Sequence, residues 1–159
     1  MRAPKLVQLM KSNSAVMSEG LVQKIRASGK CRELVFRVPE SEQRMYASEI
    51  YQALTEWLEG EPDSVLEPHY VALGVRRAGQ GVPASQLLWA VSIARESLWE
   101  YTQQECLHEE PVEFLGGVMI LRSLNSFFDH VLSFALIGYE KAGEDGSAAV
   151  SFLASRRSA

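Results

Sequence analysis

His69-Tyr70, Gly74-Val75-Arg76-Arg77, Gly79-Gln80-Gly81-Val82-Pro83, Leu87-Leu88-Trp89-Ala90 and Arg95-Glu96-Ser97-Leu98-Trp99 follow one another between Pro68 and Tyr101. They read as a helix, a glycine-bounded corner and a second helix carrying two tryptophans and a central arginine. Gly79 and Gly81 interrupt the helical spacing. Pro83 suits the first turn of the following helix, where its missing N–H would be unpaired anyway. Glycines that absorb backbone change beside a proline that fixes φ make Gly79, Gly81 and Pro83 a candidate hinge.

Working outward, apolar residues recur at helical spacing almost everywhere and no run alternates over strand length. Leu6, Met10, Met17, Leu21 and Ile25 define a first long helix, weakened at Ser12-Asn13-Ser14 and closed by Gly29. Leu34-Val35-Phe36-Arg37-Val38 is strand-like in composition but has no partner, so it reads as a packed connector before Pro39. Ser41 is placed to cap a second helix with Met45, Ile50, Leu54, Trp57 and Leu58 on its inner face, ended by Gly60-Glu61-Pro62. Asp63 is placed to cap a third, with a kink or restart at Pro68. The fourth carries Leu87, Leu88, Val91, Ala94, Leu98 and Tyr101, and fades near His108. The fifth opens at Pro111 and runs through Leu115, Val118, Leu121, Leu124, Phe128, Leu132, Ala135 and Tyr139. The expected architecture is all-α: about five principal helices in a single compact domain, a helical bundle over residues 1–142. Residues 143–159 are expected to form a flexible turn at Gly143-Glu144-Asp145-Gly146, then a short helical or disordered tail.

The bulk numbers exclude several functions. At 159 residues and 47% hydrophobic the chain has the content of a packed domain. A net charge of −4 provides no electrostatic footprint for nucleic acid. Cys31 and Cys106 stand far apart without CxxC or Cys/His spacing, which argues against zinc and against a secreted disulfide scaffold. There is no signal-peptide core, and the apolar run Phe114–Leu121 is too short to span a bilayer. The economical expectation is a reduced, cytoplasmic protein that binds neither membrane nor nucleic acid.

The segment Tyr70-x-x-Leu73-Gly74-x-x-Arg77-Ala78-x-Gln80-Gly81-Val82-Pro83, then Leu87-Leu88-x-Ala90 and Arg95-x-x-x-Trp99, resembles the N-terminal sensory domain of RsbRD-type co-antagonists of the bacterial stress response. Leu124-Asn125-x-Phe127-Phe128-Asp129 through Gly138-Tyr139-Glu140 resembles the final helix of that family. The resemblance covers Glu67 to Glu140, with residues 1–60 a helical preamble. It implies a globin-like, haem-free all-α domain that usually precedes an output domain such as a STAS domain. Here the sequence ends about twenty residues after Tyr139, so a stand-alone version is expected, signalling through a regulatory protein partner or as a homodimer.

Against that background, Tyr70, Arg77, Trp89, Arg95 and Trp99 are the candidate pocket or partner-binding residues. Arg95 and Trp99 lie one turn apart and can make a guanidinium–indole contact. Arg77 and Arg95 can pair with an acidic ligand. They can equally form structural salt bridges, with Glu67, Glu96 or Asp129 as partners. His69 and His130 would be haem ligands only if the domain were a haem or apolar-ligand sensor or carrier; otherwise they are solvent-facing or hydrogen-bonded, and no cofactor is expected. Glu105, His108 and Glu109 approach metal-ligand spacing only loosely, so no metal site is expected. Glu109, Glu110 and Glu113 match a helix start, where negative charge meets the dipole. Cys31 follows Lys30, which would lower its pKa slightly. No acid–base pair or nucleophile arrangement is present, so no catalytic residue and no enzymatic activity are expected.

Overall fold

The computed structural model describes residues 3–106 and 111–157, with side chains placed for 4–104, 119–145 and 155–156. Among them the chain is all helix and turn, without strands. Seven helices form: α1 (Ala3–Ser12), α2 (Ser14–Ala27), α3 (Arg32–Arg37), α4 (Glu40–Leu58), α5 (Asp63–Gly79), α6 (Ala84–Cys106) and α7 (Pro111–Arg157). The expected five become seven at two places, both with local causes. The first long helix divides at Asn13 (φ −117°, ψ 17°), whose amide side chain donates to the Leu9 carbonyl at 2.9 Å and to the Tyr101 hydroxyl at 3.1 Å. The strand-like segment coils into α3, since a lone strand would leave backbone groups unpaired that a helical turn satisfies itself.

Other boundaries also shift. Pro39, not Ser41, stands at the N-cap of α4, and Asp63 is the first residue of α5. Pro68 lies inside α5 without splitting it. An interior proline costs about 3 kcal/mol. Burial of Leu66, Tyr70 and Leu73 around it, at roughly 1.5–3 kcal/mol per large apolar side chain, outweighs that. Because Pro68 itself is exposed, Pro68→Ala should raise stability by roughly 1–3 kcal/mol, read as a higher urea midpoint at unchanged slope. The expected turn at Gly143–Gly146 is corrected as well: α7 continues through it. Glycine is only about 1 kcal/mol worse than alanine in a helix, and no proline interrupts this stretch. Met45, assigned to the inner face of its helix, is instead exposed.

Paired residues fix the helix directions. Arg26–Glu40 and Arg44–Glu19 make α2 and α4 antiparallel, and Glu42–Arg77 with Glu49–His69 does the same for α4 and α5. Arg95–Asp129 and Trp99–Asn125 set α6 against α7 in opposite directions. Asp63–His130 low on the pair and Val71 against Gly138 higher up make α5 and α7 parallel, with α6 as the return limb. These two helices touch at a glycine crossing. A Cβ on Gly74 would overlap the Ala135 carbonyl and lie 2.7 Å from the Tyr139 nitrogen. One on Gly138 would overlap the Val71 carbonyl and lie 2.8 Å from its carbon. One core runs through the bundle, with Tyr70, Leu54, Leu98, Leu124, Phe127 and Phe128 among its fully buried side chains. A smaller cluster of Cys31, Leu34, Val38 and Val82 packs beneath α3.

Candidate functional site

The glycine-bounded corner joins α5 to α6. Only Gly81 there takes a positive φ, +74°, while Gly79 is the last residue of α5. Val82 turns inward beneath α3, and its carbonyl accepts a hydrogen bond from the Tyr139 hydroxyl at 2.7 Å. The Arg37 guanidinium crosses Gly81, 3.1 Å from where a Cβ would stand. The candidate hinge is therefore braced by α3 and α7.

Arg77, one turn before the corner, is buried. Its Nη1 donates to Glu42 Oε1 and to Gln80 Oε1, both at 2.7 Å, and its guanidinium lies 4.6 Å from the centre of the Tyr46 ring. Arg76 also clasps Glu42, through Nε to Oε1 and through Nη2 to Oε2 at 2.9 Å, and Gln80 Nε2 reaches both carboxylate oxygens at 3.3 Å. The Arg76 hydrogen bond, opposed by burial and reinforced by Arg77, holds the Glu42 carboxyl down at about 2. Glu42 lay outside the sequence reading. It sits in the first turn of α4, where a glutamate ordinarily serves the helix dipole, 35 residues from the arginine it holds.

Tyr70 and Arg77 come together as walls of an apolar cavity of ≈ 80 Å³, completed chiefly by Leu21, Ile50, Leu87 and Val91. The other candidates lie elsewhere. Arg95 pairs with Asp129 at 3.7 Å, one of the partners anticipated, and Trp99 Nε1 donates to Asn125 Oδ1 at 3.2 Å, so both stitch α6 to α7. Trp89 is exposed on α6 with the Lys30 ammonium 3.6 Å over its ring. Burial pushes the Cys31 thiol up rather than down, the reverse of the expected effect of Lys30.

Tyr70 also borders a second space, a groove of ≈ 350 Å³ between α4 and α5. Glu49, Glu56 and Glu61 edge it, and Trp57, Leu66 and His69 form its walls. His69 Nε2 is 3.4 Å from Glu49, and the His69 ring meets the Tyr70 ring edge-on. His130 stands apart, with Nδ1 3.2 Å from Asp63 and its ring edge-on to Trp57. The core cavity is well below the ~300 Å³ at which pockets for larger ligands begin and includes neither imidazole.

Among the described residues, no three His, Cys, Asp or Glu side chains gather as metal ligands, and no helix is long and apolar enough to cross a membrane. The side chains of Glu105, His108, Glu109, Glu110, Glu113, Leu115 and Val118, named in the sequence reading, fall outside the described residues.

No curated protein and no solved structure matches this chain. The sequence profile of the RsbT co-antagonist protein rsbRD N-terminal domain matches residues 16–149. That span contains the Glu42–Arg77 knot, the braced corner, the glycine crossing and the α4–α5 groove, and it reaches well into the segment that resembled only a helical preamble. With most of its length matched, the chain belongs to the RsbRD N-terminal domain family.

Proposed function

We propose that this domain is a non-enzymatic sensory and regulatory module of the stress-response partner-switching system, acting in the cytoplasm as a homodimer and through a regulatory protein partner. The observation that carries this reading is the meeting of α3, α5 and α7 at the corner that leads into α6, where the Tyr139 hydroxyl bonds the Val82 carbonyl and the Arg37 guanidinium packs across Gly81. A bonded junction of this kind has discrete alternatives: Arg77 and Gln80 either hold Glu42 or release it, and each state positions α6 differently against α7. A partner shifts that balance only through different affinities for the two packings. The family's name, that of an RsbT co-antagonist, supports RsbT or an assembly containing it as the partner class.

The test pairs native mass spectrometry with biolayer interferometry of the purified chain on immobilised RsbT, alone and with its co-antagonist complex. A dimer that binds saturably, with affinity altered by Gln80→Ala at the junction, supports the reading. A monomer that binds neither form overturns it, as would a substrate turnover abolished by the same substitution.

A further inference from the structure

The α4–α5 groove contains polar groups that the fold leaves unanswered. Tyr70 is 2% exposed, yet its hydroxyl has no hydrogen-bond partner, and Glu49 Oε2 is buried without one. Native proteins rarely leave such groups unpaired, and those that persist call for a ligand, an ion or a role. His69 Nε2 stands 3.4 Å from that same Glu49 oxygen, a charge contact only when the imidazole is protonated, so Tyr70 is the group with no neighbour to answer it. Burial raises the Tyr70 hydroxyl well above its ordinary range, and the charges of Glu49 and then Glu56 raise it further, in keeping with a hydroxyl on the groove side of the ring.

The groove's sign and walls narrow the ligand. Glu49, Glu56 and Glu61 supply carboxylates, and among the described residues no lysine or arginine lines the space. Glu56 is braced by Gln52 at 3.1 Å. The Trp57 ring is held by its N–H bond to Asp63 at 3.3 Å and by Phe127 and His130 packed against it, so it presents a fixed aromatic wall. An unpartnered hydroxyl, a surplus of negative charge and an aromatic face together suit a cation with several N–H donors and an apolar body.

We propose that the α4–α5 groove binds a small organic primary amine, its ammonium donating to the Tyr70 hydroxyl and the Glu49 carboxylate and its apolar body lying against Trp57 and Leu66. The Tyr70 ring is also a wall of the core cavity that Arg77 lines, so an occupant fixed on its hydroxyl acts directly on core packing. That last consequence rests on the regulatory reading; the binding does not.

The probe is 2-phenylethylammonium chloride, titrated into the full chain by calorimetry and by NMR of the Trp57 indole N–H, with neutral 2-phenylethanol as its counterpart. Saturable binding of the ammonium is expected, with the alcohol at least about tenfold weaker. Tyr70→Phe should weaken ammonium binding by roughly tenfold while leaving the melting temperature unchanged or higher, because it removes a hydroxyl that the fold does not bond. Glu49→Gln should weaken it by at least as much. A merely structural Tyr70 would show the reverse pattern, lower stability with binding unchanged, and that result overturns the site. Equal affinity for the alcohol, or no saturation by the ammonium, overturns it as well. Ammonium binding that leaves RsbT affinity unmoved sustains the site and removes only its regulatory consequence.

Discussion

Gly74→Ala and Gly138→Ala are each expected to lower the melting temperature by about 6–12 °C, the shift that ~3 kcal/mol produces in a chain of this size. Each added methyl would meet the backbone of the opposing helix: the Ala135 carbonyl and Tyr139 nitrogen in one case, Val71 in the other. A flexible side chain can swing aside, but a helix backbone cannot, so α5 and α7 must separate along their crossing. Overpacking of this kind costs roughly 1–3 kcal/mol and occasionally more, and a backbone contact belongs at the upper end. Separation would also draw Tyr139 away from the Val82 carbonyl and loosen the corner.

The double variant should cost less than the sum of the two, because the first methyl already produces the separation that the second needs. Gly20→Ala is the matched control. It lies exposed within α2 with nothing within 4 Å of the added methyl, and should gain up to about 1 kcal/mol from helix propensity. Differential scanning calorimetry of the four variants and the native chain decides the matter. A cooperative transition for Gly74→Ala within about 2 °C of the native chain would sink the close-crossing account.

Glu42→Ala should destabilise the domain by about 3–5 kcal/mol, the usual consequence of removing one member of a buried ion pair. The loss is large because Arg77 stays buried, retaining only Gln80 as a hydrogen-bond acceptor. Glu42→Gln keeps the shape and isolates the charge, which gives a pH signature. The Glu42 carboxyl is held at about 2 in the folded protein, below its ordinary value of 4.5, first by the Arg76 hydrogen bond against the opposing effect of burial, then by Arg77. A depressed carboxylate contributes stability that is fully present above the unfolded value and is lost as pH falls toward the folded one. The stability gap between the native chain and Glu42→Gln should therefore be widest above about pH 5 and narrow steadily toward pH 2. Urea unfolding of both proteins at pH 6, 4 and 2.5 measures that gap. A gap constant across the series would show that geometry, not charge, is what Glu42 contributes.

Much of the fold was legible residue by residue. Gly29 takes the positive φ, 71°, expected of a residue closing a helix, and Gly81 opens the corner before Pro83 as its position indicated. Leu54, Val91, Leu98, Leu124 and Phe128 are buried where their spacing placed them. The errors in the fold have the same local character. Asn13 looked like a weak point and is a break. The segment around Leu34, strand-like in composition and read as a packed connector for want of a partner, instead closed its own hydrogen bonds as a helix.

The candidate site was legible only in part. Arg77 and Tyr70 stood out by their place beside the corner, and they do share one cavity. Trp89, Arg95 and Trp99 stood out for the same reason and lie apart, on the α6 surface and on its seam with α7. Glu42 and Glu49 drew no notice, because a glutamate on an amphipathic helix looks the same whether it faces water or a buried arginine.

Periodicity, glycine and proline placement, and the absence of any long apolar run act within a few residues of chain. Helix positions, the corner and the all-α class therefore followed from the order of the amino acids alone. Tertiary structure decided the Glu42–Arg77 pairing, the contact of Gly74 and Gly138 with the facing backbone, and the acidic groove beside Tyr70. Each joins residues tens of positions apart, and the energy of a buried charge or a missing Cβ depends on what stands opposite it, which local sequence does not specify.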